Sequence, residues 1–192
     1  SAEGVAVSSY NTMDSHSSST INLENVFVTE ANLIVDEGEG SRHIESCLPQ
    51  ILLCLSAEAL GIMEVLNRLT VEYSKTRKQF GAPIGSFQAL QHRMVDNFMA
   101  FEQSKSMVYR GICESTSFNK NDIDINQFLK TAHAVKALIA KNSKQIGDES
   151  IQIHGGIGMT DELNIGHFVK RLMMINVLFG DGDFHRQCFS QN

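Results

Sequence analysis

"YSKTRKQFGAPIGSFQALQHR", residues 73–93, interrupts two long runs of helical periodicity. The chain has only two prolines, and one of them, Pro83, falls here between Gly81 and Gly85. Proline removes a backbone donor and glycine weakens a helix, so one helix must end before this stretch and another begin after it. The corner also carries chemistry. Arg77 offers a planar, permanently charged fork suited to a phosphate oxygen, Gln79 adds amide donors, Phe80 an aromatic face, and Gly81 lets a ligand approach the backbone. Residue types alone leave two readings open: an interhelical turn with a solvated basic face, or a phosphate site.

Working outward, apolar residues from Ile44 to Leu69 recur at spacings of three and four, which predicts a helix from Arg42 on the order of 45 Å long, with Pro49 near its start. Beyond the corner, Ser86 is the expected N-cap of a second helix carrying Phe87, Leu90, Met94, Phe98, Phe101, Val108 and Ile112 inward. "CESTSFNKNDIDIN" reads as the following loop. A third helix turns Phe128, Val135, Ile139 and Ile146 inward and stops at Gly155 and Gly156. "TDEL" is read as the cap of a short fourth helix, and "NVLFGDGDFHRQ" closes the chain. Long helices and short polar loops predict a mainly α fold, an antiparallel four-helix bundle over residues 41–192.

Residues 1–40 differ in texture. Ile21, Leu23, Val26 and Val28 nearly alternate, with Asn25 as a turn, which predicts one or two strands and a linker. Two strands do not bury a sheet by themselves, so this segment is expected to be the last piece of a β domain missing from this chain, or a docking arm.

A net charge of −6 and a pI near 5.6 argue against nucleic acid as a partner, leaving Lys75, Arg77 and Lys78 as a local anion site. Cys47, Cys54, Cys113 and Cys188 show no metal spacing and are expected to be reduced thiols. Cys47 and Cys54, seven apart on one helical face, are expected to be buried. No uninterrupted apolar run reaches the length of a membrane span, and the first residues lack the pattern of a leader, so the expected location is the cytoplasm. Glu58, on the apolar stripe of the first helix, is expected to pair with Arg93 or Arg171, since a buried charge needs a partner. His92, His133, His154 and His167 are dispersed and read as satisfied core or surface histidines.

The second informative stretch is "SIQIHGGIGMTDELNIGHF". Its glycine pair supplies a helix C-cap and also clears space against backbone N–H groups, and Gln152 lies one turn earlier. Taken together, RKQFG-x-P-I-x-x-FQ and then Q-x-x-GG-x-G within a helical bundle resemble the acyl-CoA dehydrogenase family over nearly the whole chain. The resemblance implies an FAD at a subunit interface. Arg77, Gln79 and Phe80 would reach the pyrophosphate region of an FAD held mainly by a second subunit, with Ile84 and Gln88 further along; Gln152, Gly155 and Gly156 would meet the adenosine part. It also implies an acyl-CoA substrate, a homo- or hetero-oligomer (dimer or tetramer), an electron-transfer acceptor protein, and further domains that this chain lacks.

One feature departs from the family pattern. A base glutamate belongs to a Y-E-G-T sequence after the glycine motif, and this chain has "VLFGDGDFH". Alignment puts Phe179 or Gly180 at the glutamate position, and the alternative position on the first helix holds Ile51. Asp181 is then the candidate base, with Asp183 and His185 near enough to tune it, and the ending resembles the small-subunit, pimeloyl-CoA dehydrogenase-like branch. The competing reading is a catalytically silent subunit, or an oligomerisation module, that only completes a partner's FAD site. A flavin oxygenase or nitroalkane oxidase of the same fold is a third.

Overall fold

The computed structural model describes residues 3–120 and 122–191. They divide into two compact units, residues 1–47 and 48–192. In the first unit, β1 (Val5–Asn11) pairs antiparallel with β2 (Ser17–Leu23), Val5 opposite Leu23 and Asn11 opposite Ser17. The strands are placed differently from the sequence expectation. Val26 and Val28 lie outside the ladder, whereas the serine-rich tract supplies the first half of β2 and "VAVSSYN" forms β1. A ladder is made by backbone groups, so serines serve: Ser9 and Ser19 even share a hydroxyl hydrogen bond of 2.8 Å across the pair. Asn25 adopts φ +51°, the left-handed turn expected of it. Val7, Tyr10, Ile21 and Leu23 are all exposed.

α1 (Gly40–Thr76) runs through Pro49. At 37 residues it is about 55 Å long. In the second unit it is followed by the corner, then α2 (Gln88–Asn119), α3 (Ile125–His154), α4 (Ile165–Val177) and α5 (Gly182–Gln191). The fold is mainly helical, as expected. The core joins Ala59, Met63 and Leu66 of α1, Phe101 and Val108 of α2, Val135, Ile139 and Ile146 of α3, and Leu172 and Ile175 of α4. α3 lies at its centre, because α2, α4 and α5 all pack on it.

Several boundaries differ from expectation for local reasons. Ser86 does not cap α2: its hydroxyl donates to the Pro83 carbonyl (2.7 Å), and Phe87 takes the N-cap position without a side-chain bond. "CESTSFN" is helical and extends α2 to Asn119, and Asp124 caps α3 by accepting from the Gln127 N–H (2.8 Å). "TDEL" is not a cap, since α4 starts after Asn164. The closing segment forms α5. Phe98 and Ile112, read as inward, are exposed, as are Cys47 and Cys54; among the described residues no cysteine is in a disulfide.

Glu58 pairs with Arg171 through two bonds, Nε–H to Oε1 (2.6 Å) and Nη2–H to Oε2 (2.8 Å), and Arg93 turns instead to Glu149. By length and composition alone, α1 contains an 18-residue window of mean hydropathy 1.5, long and apolar enough to cross a membrane. A third of that window is buried inside the protein.

Candidate functional site

The corner after α1 is a miniature hairpin. β3 (Lys78–Gln79) pairs with β4 (Ala82–Pro83), and the two residues between them, Phe80 and Gly81, have φ +53° and +82°. Positive φ at both central positions is the geometry of a type I′ turn, which favours Asn-Gly. A bulky aromatic there is held against its conformational preference, at a cost of roughly 1–3 kcal/mol. Phe80 gains little burial in return: it is 95% exposed, touching Phe87 only edge-on.

The hairpin is firmly mounted. Ile84, 8% exposed, roots it in the core and donates its N–H to the Arg77 carbonyl (2.8 Å). Gly85 lies against the end of α1, where a Cβ would stand 3.0 Å from the Ser74 carbonyl oxygen, and the Gln91 amide holds the Gly85 carbonyl (2.8 Å). Lys75, Arg77 and Lys78 are exposed, and none makes an ion pair among the described residues. Gln79 and Gln88 are exposed beside them.

The second candidate group lies where α3 ends. Gly155 takes φ +67° and ψ −146°, a region essentially closed to residues with a Cβ, while its N–H closes the helix on Ile151. A Cβ on Gly155 or Gly156 would meet nothing within 4 Å, so this backbone faces open space, and Gln152 is exposed one turn earlier. We expect Gly155→Ala to lower stability by about 1–3 kcal/mol from backbone strain, and Gly156→Ala to be nearly neutral. Urea unfolding of the two variants checks this.

A direct contact joins the groups. The Tyr73 ring stacks on His154 with centroids 4.4 Å apart, and its hydroxyl donates to the His154 carbonyl (3.4 Å). Arg77 is one turn beyond Tyr73, its N–H bonded to the Tyr73 carbonyl, and Gly155 is next to His154. The two motifs therefore sit at the same end of the bundle. A cleft of about 380 Å³ opens beside the Tyr73–His154 contact, lined by Tyr73, Thr76, His154, Glu162, Leu163 and Asn164. Burial lowers the His154 pKa, opposed by its Nδ1 bond to the Ser150 carbonyl (2.7 Å).

The third candidate position is the turn after α4. Phe179 has φ +58° and is 54% exposed; Gly180 has φ +109°. A Cβ on Gly180 would fall 2.5 Å from the Phe184 ring, so of the two aligned positions only Phe179 has room for a side chain. The Asp181 carboxylate accepts the Phe184 N–H (2.8 Å) and so caps α5. Asp183 pairs with Arg186, while the His185 imidazole points into the core. Ile51 is half-buried on α1.

Sequence reasoning missed the group beneath this turn. Lys136 is fully buried, and its ammonium donates to the carbonyls of Asn176 and Gly180, both at 3.1 Å. His133 and His185 are buried with their Nδ1 atoms 2.8 Å apart, so one donates and the other accepts. Loss of water lowers the Lys136 pKa to about 8, with Asp181 opposing. The same loss, then the charges of Lys136 and His133, lowers His185 to about 4, with the Phe179 and Gly180 carbonyls opposing; burial also lowers His133. The available signal was a lysine inside the buried stripe, between Val135 and Ile139.

An exposed cationic corner, a strained aromatic and an open glycine backbone suit an anion joined to a flat ring. Residues 38–192 match the family described as acyl-CoA dehydrogenase, C-terminal domain. The chain is 30% identical to the mitochondrial 2-methylacyl-CoA dehydrogenase of Solanum tuberosum over 164 residues, 85% of this chain and 38% of that one. It is 27% identical to the short-chain-specific acyl-CoA dehydrogenase of Megasphaera elsdenii over 173 residues, 89% of this chain and 43% of that one. The solved structure of PigA with FAD and proline superposes with a TM-score of 0.86 at 26% identity, covering 99% of this chain and 49% of that one. The chain thus spans less than half the length of these relatives. On these matches and the geometry they accompany, the chain belongs to the acyl-CoA dehydrogenase family and carries its C-terminal helical domain.

Proposed function

We propose that this chain is the C-terminal part of an FAD-dependent acyl-CoA dehydrogenase and contributes to an FAD site shared across a subunit interface. The observation that carries this reading is the joined pair of corners: a strained, 95% exposed Phe80 among exposed cations, tied through Tyr73 and His154 to the open Gly155–Gly156 backbone. A ring exposed at a conformational cost is matched to a surface that this chain does not itself supply. FAD, when bound, supplies the hydride acceptor for α,β-desaturation of an acyl-CoA. Within this chain, Arg77 and Gln79 bind the pyrophosphate region and Phe80 covers it. Ile84 and Gly85 fix the corner, and Gln88, Gln152, Gly155 and Gly156 complete the contact surface. The functional protein on this reading is an oligomer, homo or hetero, whose electrons pass to an acceptor protein.

Asp181 is the carboxylate nearest the family position, yet its engagement with the Phe184 N–H favours a subunit that completes a partner's FAD site without abstracting a proton itself. Asp181→Asn separates these, because asparagine caps a helix as well as aspartate but is no base. Anaerobic incubation of the full-length protein with acyl-CoA and a one-electron dye that reoxidises the flavin, with enoyl-CoA as the product measured, is the assay. A base at Asp181 predicts a loss of at least ~100-fold in kcat with unchanged stability. Unchanged turnover assigns this chain the silent role, and an oxygenated product in air in place of enoyl-CoA would refute the dehydrogenase reading.

A further inference from the structure

Among the described residues the Lys136 ammonium makes no ion pair with a carboxylate; its bonds go to two main-chain carbonyls on either side of Phe179. Asn176 lies in the last turn of α4, where carbonyls lack helical partners and a cation is favoured, and Gly180 follows the strained Phe179. From these contacts we infer that Lys136 is the positioning residue of the 177–182 turn, clamping its backbone so that the Phe179 position faces outward.

Three features of the packing support this. The turn needs two consecutive residues at positive φ, Phe179 and Gly180, and a non-glycine residue persists there only when its surroundings over-determine it. Two rings of α5 close the turn from below: a Cβ at position 180 would fall 2.5 Å from the Phe184 ring and 3.1 Å from the His185 Nε2, and the two rings meet edge-on at 5.2 Å. His133 braces His185 from α3, one helical turn from Lys136. A buried lysine held below its usual pKa is expensive to keep charged, and an apolar residue would fill the space more cheaply. Its two carbonyl bonds are what such a residue could not supply.

The consequence for substrate rests on the proposed function, in the form in which this turn carries the candidate base of the dehydrogenase; the clamp itself does not. The test uses the full-length protein with Lys136→Met, similar in length but without donors, and Lys136→Arg, which restores a cationic donor. Amide hydrogen exchange across residues 177–182 is expected to speed at least tenfold in the Met variant and to return toward wild type in the Arg variant. Exchange at residues 78–85 should stay unchanged in both. Wild-type exchange at the turn in Lys136→Met overturns the inference. Steady-state kinetics with butyryl-CoA and octanoyl-CoA form the second readout, in which KM rises at least tenfold with a smaller change in kcat. A loosened turn with unmoved kinetics leaves the clamp standing and refutes the placement of this turn at the substrate. Should Lys136→Met not fold, amine acylation of the wild type decides. Lys136 should react no faster than its turn opens, as timed by exchange, and labelling at the rate of surface lysines while the turn amides stay protected overturns the clamp.

Discussion

Arg77→Ala is expected to weaken FAD binding by about 10- to 100-fold in the full-length assembly, with little change in stability. A charge-assisted hydrogen bond contributes about 1.5–3 kcal/mol, and each 1.4 kcal/mol is a factor of ten. The side chain is exposed and makes no ion pair among the described residues, so its removal leaves no buried partner unsatisfied. The structural work of position 77 is done by its backbone, which bonds Tyr73 and Ile84 and is intact in the variant. Arg77→Lys should recover only part of the affinity, because a point charge does not reproduce the planar fork. Equilibrium titration with FAD, alongside thermal unfolding, separates binding from folding. Unchanged affinity would remove this corner from the cofactor site.

The second large effect is on stability against pH. His185 has a folded pKa of about 4 against about 6.5 unfolded. Between these values the unfolded chain takes up a proton that the folded chain refuses, so the contribution of this group is fully present above pH 6.5 and lost as pH falls toward 4. At ~1.4 kcal/mol per unit the loss is about 3 kcal/mol, and the lowered pKa values of His133 and His154 act in the same direction. Lys136 works at the other end. With a folded pKa of about 8 against about 10.5 unfolded, its contribution is lost as pH falls through 8 and regained as pH rises toward 10.5. Urea unfolding between pH 4 and 10 should therefore show stability falling on the acid side of 6.5 and a gain above 8. His185→Phe, which fills the site without titrating, should flatten the acid limb.

The sequence carried the corner and the end of α3 plainly, because proline and glycine punctuate helices whatever surrounds them. The stop at Gly155 and the turn at Asn25 were legible as residue types that tolerate positive φ. The Glu58–Arg171 pair was half legible: a carboxylate on an apolar stripe demands a cation, but which one depends on how α1 and α4 cross. The β1 strand was hidden because its serines carry no burial pattern and its pairing is made by backbone groups. Cys47, Cys54, Phe98 and Ile112 follow helical periodicity and are nonetheless exposed, since α1 and α2 are apolar on more than the side that faces the core.

At the candidate site, the exposed residues with distinctive chemistry were all nameable in advance. The strain at Phe80 and Phe179 was not, because nothing in a phenylalanine announces a positive φ. Nor was the Lys136, His133 and His185 group, which is assembled from α3 and α5 at a separation of about fifty residues. Asp181 was legible as a carboxylate in a glycine turn, while its capping bond to Phe184 emerges only once α5 is seen to begin there.

The sharpest trial of the shared-cofactor reading is an experimental structure of the full-length protein with its flavin nucleotide. The Arg77 guanidinium and the Gly155–Gly156 backbone should approach a single nucleotide anchored mainly by a neighbouring subunit, with the Phe80 ring covered. A nucleotide bound wholly within one subunit, or an assembly that leaves Phe80 in solvent, would contradict it.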